Sequence, residues 1–389
     1  MRCAILDIVG LAAVKGPGRF CALKGSMSLA RTLSSALVAH RVFGRAERSQ
    51  TRGRDRPKAA ASAEGGSDRG FDSLFVTAPD RLALHVRSYG PRGTSALPVV
   101  CLPGLARTGA DFHLLAAALA ADPAAPRRVV VLDYRGHGES DYDSNPDRYG
   151  IRTDLADLLT VLTTLDITRA VFVGTSHGGV LAMMLARSRP TALAGVVLND
   201  IGPVIEPRAL LQIKGYLGRL PVPRDFADGA EILRKLFGAR FPRLTSRDWI
   251  AFARRTWCEN GGALAPDYDV RLARRLRIDP ELPAQTLWSE FDALSHLPLM
   301  VIRGAYSTML VEATLNAMLA RRRELDIVVV PDQGHAPLLE TDRLVRRIAA
   351  FVVSCDVAQH VEGADEPNLR SAAPAALTRR GPPLRAQAP

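Results

Sequence analysis

The chain has 389 residues, 47% of them hydrophobic, enough to bury a large core in one big domain or two ordinary ones. Its formal charge of +11 invites a nucleic-acid partner, but residues 1–70 carry thirteen Arg or Lys against five Asp or Glu, so +8 lies in that stretch and +3 in all the rest. An excess confined to an extension, with no nucleic-acid motif beside it, argues against nucleic-acid binding. The five cysteines (Cys3, Cys21, Cys101, Cys258, Cys355) are odd in number, scattered and never in C-x-x-C spacing. That pattern predicts neither a disulfide framework nor a zinc site, and fits reduced thiols in a cytoplasmic setting. The eight histidines include no H-E-x-x-H, so no metal and no cofactor are expected.

The segment 7–14 is too short and too interrupted to span a bilayer. Residues 28–48, apolar at Leu29, Leu33 and Leu37 and rich in Arg and Ser, read as a targeting helix; the favoured account is that the chain ahead of Met27 is an extension upstream of the true start there. Residues 49–70 are polar and are expected to be disordered, making 1–70 dispensable for the fold. Order is expected from Phe71. Stretches 71–77 and 82–89 alternate around Pro79-Asp80 as a hairpin. The run 97–102 is apolar throughout, as a strand covered on both faces should be, and ends in Pro103-Gly104-Leu105-Ala106-Arg107. A helix is predicted over 111–121, a buried strand over 128–132 closing on Asp133-Tyr134-Arg135-Gly136-His137-Gly138, and a helix over 153–165.

A strand over 170–173 then gives way to a helix reaching about residue 189, and the junction reads Gly174-Thr175-Ser176-His177-Gly178-Gly179. A G-x-S-x-G between strand and helix is a nucleophile elbow, a tight turn that lifts the serine hydroxyl out of the sheet. The helix behind it aims N–H groups at the place where an oxyanion would form. The strand 193–199 follows, ending at Asn199-Asp200. From 204 to 296 only helical patches are predicted, at 230–237, 249–257 and 270–276, so this insertion reads as a helical lid over a pocket, with Trp249, Phe252, Trp257 and Trp288 as its inner face or its core. Strand and helix alternate again over 299–303, 311–322, 325–330 and 338–353. Residues 356–389 are Ala- and Pro-rich and are expected to be disordered. The whole predicts a mostly parallel sheet covered by helices on both faces, built from 71–203 and 297–355.

A serine hydroxyl needs a base, and His335 in Pro331-Asp332-Gln333-Gly334-His335-Ala336-Pro337 follows the last strand at the same sheet edge. In these motifs the chain resembles the α/β-hydrolase fold family with a helical lid inserted after the sixth strand, and the likeness runs over 71–353. It implies Ser176 as nucleophile, His335 as base, and backbone N–H groups of Leu105 and His177 as the oxyanion hole. The family's usual acid lies in a Gly-x-x-Ser-Asp segment. Here the segment is Gly304-Ala305-Tyr306-Ser307-Thr308, and a threonine carries no charge to stabilise imidazolium. Asp200 is the candidate substitute acid, its alternative role being a structural carboxylate bonded to backbone N–H groups. Glu312 and Asp332 are lesser candidates. Arg107 could pair with a substrate carboxylate, and His137 is expected at the surface. The resemblance implies a serine hydrolase of a small ester, lactone or related acyl compound. Its rivals are a C–C bond hydrolase of the same fold and, because of Thr308, a ligand-binding or regulatory protein that has lost catalysis. A small acyl molecule is the only partner implied, and the sequence leaves the oligomeric state open.

Overall fold

A computed structural model describes residues 70–276 and 284–364 of the chain. The targeting or upstream segment, the stretch to residue 69 and the tail from 365 lie outside the described residues. Along the chain come β1 (Asp72–Thr77), β2 (Ala83–Tyr89), β3 (Val99–Leu102), helix α1 (His113–Ala120), β4 (Val129–Leu132), α2 (Ile151–Thr164), β5 (Ala170–Thr175), α3 (His177–Ser188) and β6 (Leu193–Asn199). An insertion follows: β7 (Val204–Ile205), α4 (Pro207–Tyr216), α5 (Phe226–Phe237), α6 (Ser246–Arg254), β8 (Trp257–Asn260), β9 (Ala263–Pro266), β10 (Gln285–Thr286) and α7 (Trp288–Asp292). The chain returns to the sheet with β11 (Leu299–Gly304), α8 (Glu312–Arg321), β12 (Asp326–Val330) and α9 (Asp342–Ala364).

Eight strands form one sheet in the order β1-β2-β4-β3-β5-β6-β11-β12. The β1–β2 and β2–β4 pairs are antiparallel, and every other pair is parallel. Alternation of side chains explains why the central strands are apolar throughout. Val100, Leu102, Val130, Leu132 and Phe172 face one core with α2, α3 and α8, while Val99, Cys101, Val129, Val131 and Val173 face a second core with α1 and α9. Cys101 is fully buried among these apolar neighbours, which pushes its thiol far above the usual range. Because β3 lies between β4 and β5, the chain leaves β3 in one direction and β5 in the other. This is a switch point of the kind at whose C-terminal strand ends α/β sheets bind ligands.

Two expectations need correction. The insertion is not purely helical: β8 and β9 pair as a hairpin through Gly261-Gly262, both at positive φ, and β7 pairs with β10. Gly-Gly between two short runs is a hairpin signal, and the helix predicted over 249–257 overran it. The last helix does not stop at 353 but runs to Ala364, so ordered structure extends past the expected tail boundary at 356. Its extension is anchored by Asp356, which accepts from the backbone N–H of Leu97 at 2.9 Å and pairs with buried Arg127 at 2.9 Å. Among the described residues no helix is long and apolar enough to cross a membrane.

Candidate active site

The elbow is built by close approach. Ser176 sits at φ 50°, ψ −109°, a backbone conformation rarely adopted by non-glycine residues and one that costs on the order of 1–3 kcal/mol. It is held there because α3 starts at once and packs against the end of β3. A Cβ on Gly178 would lie 2.0 Å from the Leu102 carbonyl oxygen, so only glycine lets the helix come this near. The Ser176 N–H donates to the Asn199 carbonyl at 2.9 Å, tying this serine to β6.

Three side chains predicted from three separate segments meet at this edge. Ser176 Oγ lies 2.9 Å from His335 Nε2, and His335 Nδ1 lies 2.8 Å from Asp200 Oδ2. Asp200 is fully buried at φ 58°, and its other oxygen accepts the Gly304 N–H at 2.9 Å. An ionised carboxylate only accepts, so His335 donates Nδ1–H to it and leaves Nε2 free to take the serine proton. Asp200 therefore fills both roles the sequence left open, imidazole partner and backbone acceptor.

Thr308 stands apart. It is exposed, and its Oγ1 donates to Gln212 Oε1 at 3.2 Å on helix α4 of the insertion. Glu312 is an exposed first-turn residue of α8. Asp332 pairs with Arg243 at 2.7 Å and accepts from the Tyr306 hydroxyl.

The loop after β3 lies beside the elbow, since Leu102 is in register with Gly174. A Cβ on Gly104 would lie 3.7 Å from the Thr175 carbonyl oxygen. His177 is the first residue of α3, and its N–H has no acceptor within its own helix. The His177 imidazole turns the other way, with Nε2 2.8 Å from Asp154 Oδ2 and the ring edge-on to Tyr134 at 5.4 Å. The Tyr134 hydroxyl in turn donates to the Pro103 carbonyl.

Arg107 is not placed to receive a substrate carboxylate. Its guanidinium grips Asp111 with two hydrogen bonds of 2.7 and 2.6 Å, donates to Thr256 Oγ1 at 2.9 Å and lies over the Phe252 ring. Burial opposes charge on Asp111, but Arg107 and Arg255 outweigh it and hold that carboxyl below its usual range. The arginine thus joins the β3 loop to the insertion. His137 is buried rather than at the surface. Its Nδ1 donates to the Arg135 carbonyl at 3.0 Å, burial lowers its pKa, and its Nε2 has no partner among the described residues.

Asn199, which the sequence reading passed over, links the segments carrying all three groups. Its Nδ2 donates to Thr175 Oγ1 and to the Pro337 carbonyl, both at 3.0 Å. A carbonyl only accepts, so the amide nitrogen must face Pro337, which leaves Oδ1 buried and unpartnered. The one signal for it was a polar residue closing an otherwise apolar strand. Asn199→Leu keeps the volume but orphans the Pro337 carbonyl and the Thr175 hydroxyl. We expect about 1–3 kcal/mol of lost stability in a denaturant titration. Turnover should fall roughly tenfold with KM less affected, as the base loop loses its tie to the elbow.

A second Ser-His-Asp chain lies elsewhere: Ser73 Oγ is 3.0 Å from His85 Nε2, and His85 Nδ1 is 2.7 Å from Asp133 Oδ2. It lacks what the first chain has. Ser73 is on edge strand β1, directly opposite Arg87 in the β1–β2 ladder, with no helix starting behind it. A carboxylate oxygen of Glu139 lies 3.9 Å from His85 Nε2, the wrong charge beside a forming oxyanion.

The model of the alpha/beta hydrolase family matches residues 99–348. The chain belongs to that family. The hydrolase is 35% identical over 274 residues to the 3-hydroxybutyrate-oligomer hydrolase of Cupriavidus necator, covering 68% of this chain and 91% of that one. It is 24% identical over 281 residues to a putative 2-succinyl-6-hydroxy-2,4-cyclohexadiene-1-carboxylate synthase of Bacillus subtilis, covering 72% and 97% of the two chains. Among solved structures it resembles an alpha/beta hydrolase from Novosphingobium aromaticivorans with a TM-score of 0.68 and 35% identity, over 73% of this chain and 98% of the other.

Proposed function

We propose that this hydrolase cleaves small carboxylic esters through an acyl-enzyme on Ser176, and that its substrates are short esters of hydroxy acids. The observation that carries the reading is the unbroken chain from Asp200 through His335 to Ser176, at 2.8 and 2.9 Å. As Ser176 Oγ bonds to the ester carbon, its proton passes to His335 Nε2. The carbonyl oxygen takes the electron pair and rests against the N–H groups of Leu105 and His177, favoured by the positive end of α3. Collapse expels the alcohol, which takes the proton from His335. A water then repeats the sequence on the acyl-serine and releases the acid.

The relative named for 3-hydroxybutyrate oligomers, 35% identical along most of its length, supports the substrate class. The binding-protein reading rests on Thr308, and the Asp200 carboxylate 2.8 Å from His335 Nδ1 weighs against it. The synthase that this chain resembles is 24% identical, a weaker support for the C–C hydrolase reading.

The test is hydrolysis of 3-hydroxybutyrate dimer and trimer and of p-nitrophenyl butyrate, followed by release of acid, together with a quench-flow search for a burst of alcohol. Turnover of these esters with an alcohol burst is expected. A purified, folded protein that cleaves none of them and resists a fluorophosphonate probe would sink the proposal.

A further inference from the structure

We infer that Arg240 receives a carboxylate borne by the substrate, so that the preferred ester is one that also carries an acid group. The inference rests on the esterase reading above and narrows its substrate class.

Arg240 comes from the insertion, in the turn Gly238–Arg240 that follows α5, yet it packs on the loop of the base. A Cβ on Gly334 would fall 2.8 Å from Arg240 Cβ and 3.3 Å from its Cδ, so the arginine stem lies directly over the residue before His335. The guanidinium is steered by a neutral group: Nη2 donates to Gln212 Oε1 at 2.8 Å, and the same oxygen accepts from the Thr308 hydroxyl at 3.2 Å. It therefore stands where the insertion meets both loops, the one after β11 and the one after β12. The Tyr216 hydroxyl, one turn beyond Gln212 on α4, feels the positive charge of both Arg240 and Arg107, while burial pushes it up to about 12.

Three other arginines of the insertion and the β3 loop are matched to carboxylates. Arg107 is paired with Asp111, Arg255 with Asp111 and Glu340, and Arg243 with Asp332. Among the described residues Arg240 has no carboxylate, only a carboxamide. The segment after β11 has neutral Thr308 where the family resemblance leads one to expect an aspartate, and the acid that faces His335 sits instead on Asp200, enclosed by the imidazole and the Gly304 N–H. The geometry thus leaves a cation beside the base loop with donors to spare. A guanidinium offers a planar fork of N–H groups that matches a carboxylate better than any other common partner. An oligomer of a hydroxy acid presents that chemistry, one carboxylate at its end and an ester one or more units inward.

The experiment compares kcat/KM for a 3-hydroxybutyrate trimer as free acid and as its methyl ester. The wild type should prefer the acid, and Arg240→Gln should lower the acid-to-methyl-ester ratio by about tenfold to a hundredfold, mainly through KM. Arg240→Lys, which keeps the charge without the fork, should recover part of it. Thr308→Asp should lower the ratio as well, because it sets a fixed anion against the guanidinium. Binding is read separately by calorimetry on Ser176→Ala protein: the acid trimer should bind, and adding Arg240→Gln should weaken it by a similar factor. A wild type that cleaves both forms equally well, or equal calorimetric affinity with and without Arg240, overturns this proposal and leaves the esterase reading intact. A protein that cleaves no ester overturns that reading, and the calorimetry still decides the role of Arg240.

Discussion

Replacing Ser176 by alanine will reduce ester turnover by on the order of 10⁶ and abolish labelling by a fluorophosphonate, whereas Ser73→Ala will leave both close to wild type. The contrast tests what makes a serine reactive. Both hydroxyls are hydrogen-bonded to an imidazole that is bonded to a carboxylate, at similar distances. Only Ser176 lies at the start of a helix and beside a loop whose N–H groups can meet a developing negative charge. Ser73 would have to form its oxyanion near Glu139. Intact-mass measurement after labelling, followed by peptide mapping, gives the answer. A probe adduct on Ser73 would refute the argument.

Asp200→Asn will lower kcat by about 10⁴ while the protein remains folded. The Gly304 N–H fixes which way the new carboxamide turns. Its oxygen must take the place of Oδ1 to accept that bond, so its NH₂ points at His335. Imidazole must then accept at Nδ1 and carry its proton on Nε2, the nitrogen that should receive the serine proton. The base is present in the wrong tautomer. Thr308→Asp, by contrast, will bring no gain in kcat, because its side chain faces Gln212 and the imidazole already has a carboxylate. Steady-state kinetics on p-nitrophenyl butyrate check both variants. Full activity in Asp200→Asn would remove this residue from the mechanism, and a large gain in Thr308→Asp would show the resident acid to be deficient.

The features legible in the sequence were those with local causes. Ser176 could be read because a tight strand-to-helix turn demands glycines on both sides, and His335 because it follows the last strand. The sheet was legible because a strand covered on both faces is apolar at every position, as β3 and β4 are. Asp200 could be named but not decided. Whether an aspartate at a strand end caps backbone or orients an imidazole depends on what the next strand in space brings beside it. That strand is β11, pairing Ile302 with Asn199 across more than a hundred residues of chain. Arg107 was misjudged for a similar reason. Its partner Asp111 is four residues away and could have been guessed, but Thr256 comes from the far side of the insertion. Asn199 was passed over because a single carboxamide has no motif, and its importance arises only where three segments converge.

The placement of the acid also changes which parts of the molecule must stay constant. Ser176 and Asp200 here lie within and directly after one continuous strand-helix-strand unit, β5-α3-β6, and only His335 arrives from elsewhere. Gly304, the last residue of β11, gives its backbone N–H to Asp200, and Thr308 beyond it bonds Gln212 instead of His335. Thr308, exposed and bonded to Gln212 of the insertion, can therefore change to suit a new acid or alcohol, while the Tyr306 N–H keeps its hold on the Gln333 carbonyl of the loop that carries His335. Recognition can be retuned there while Ser176 and Asp200 are inherited as one block.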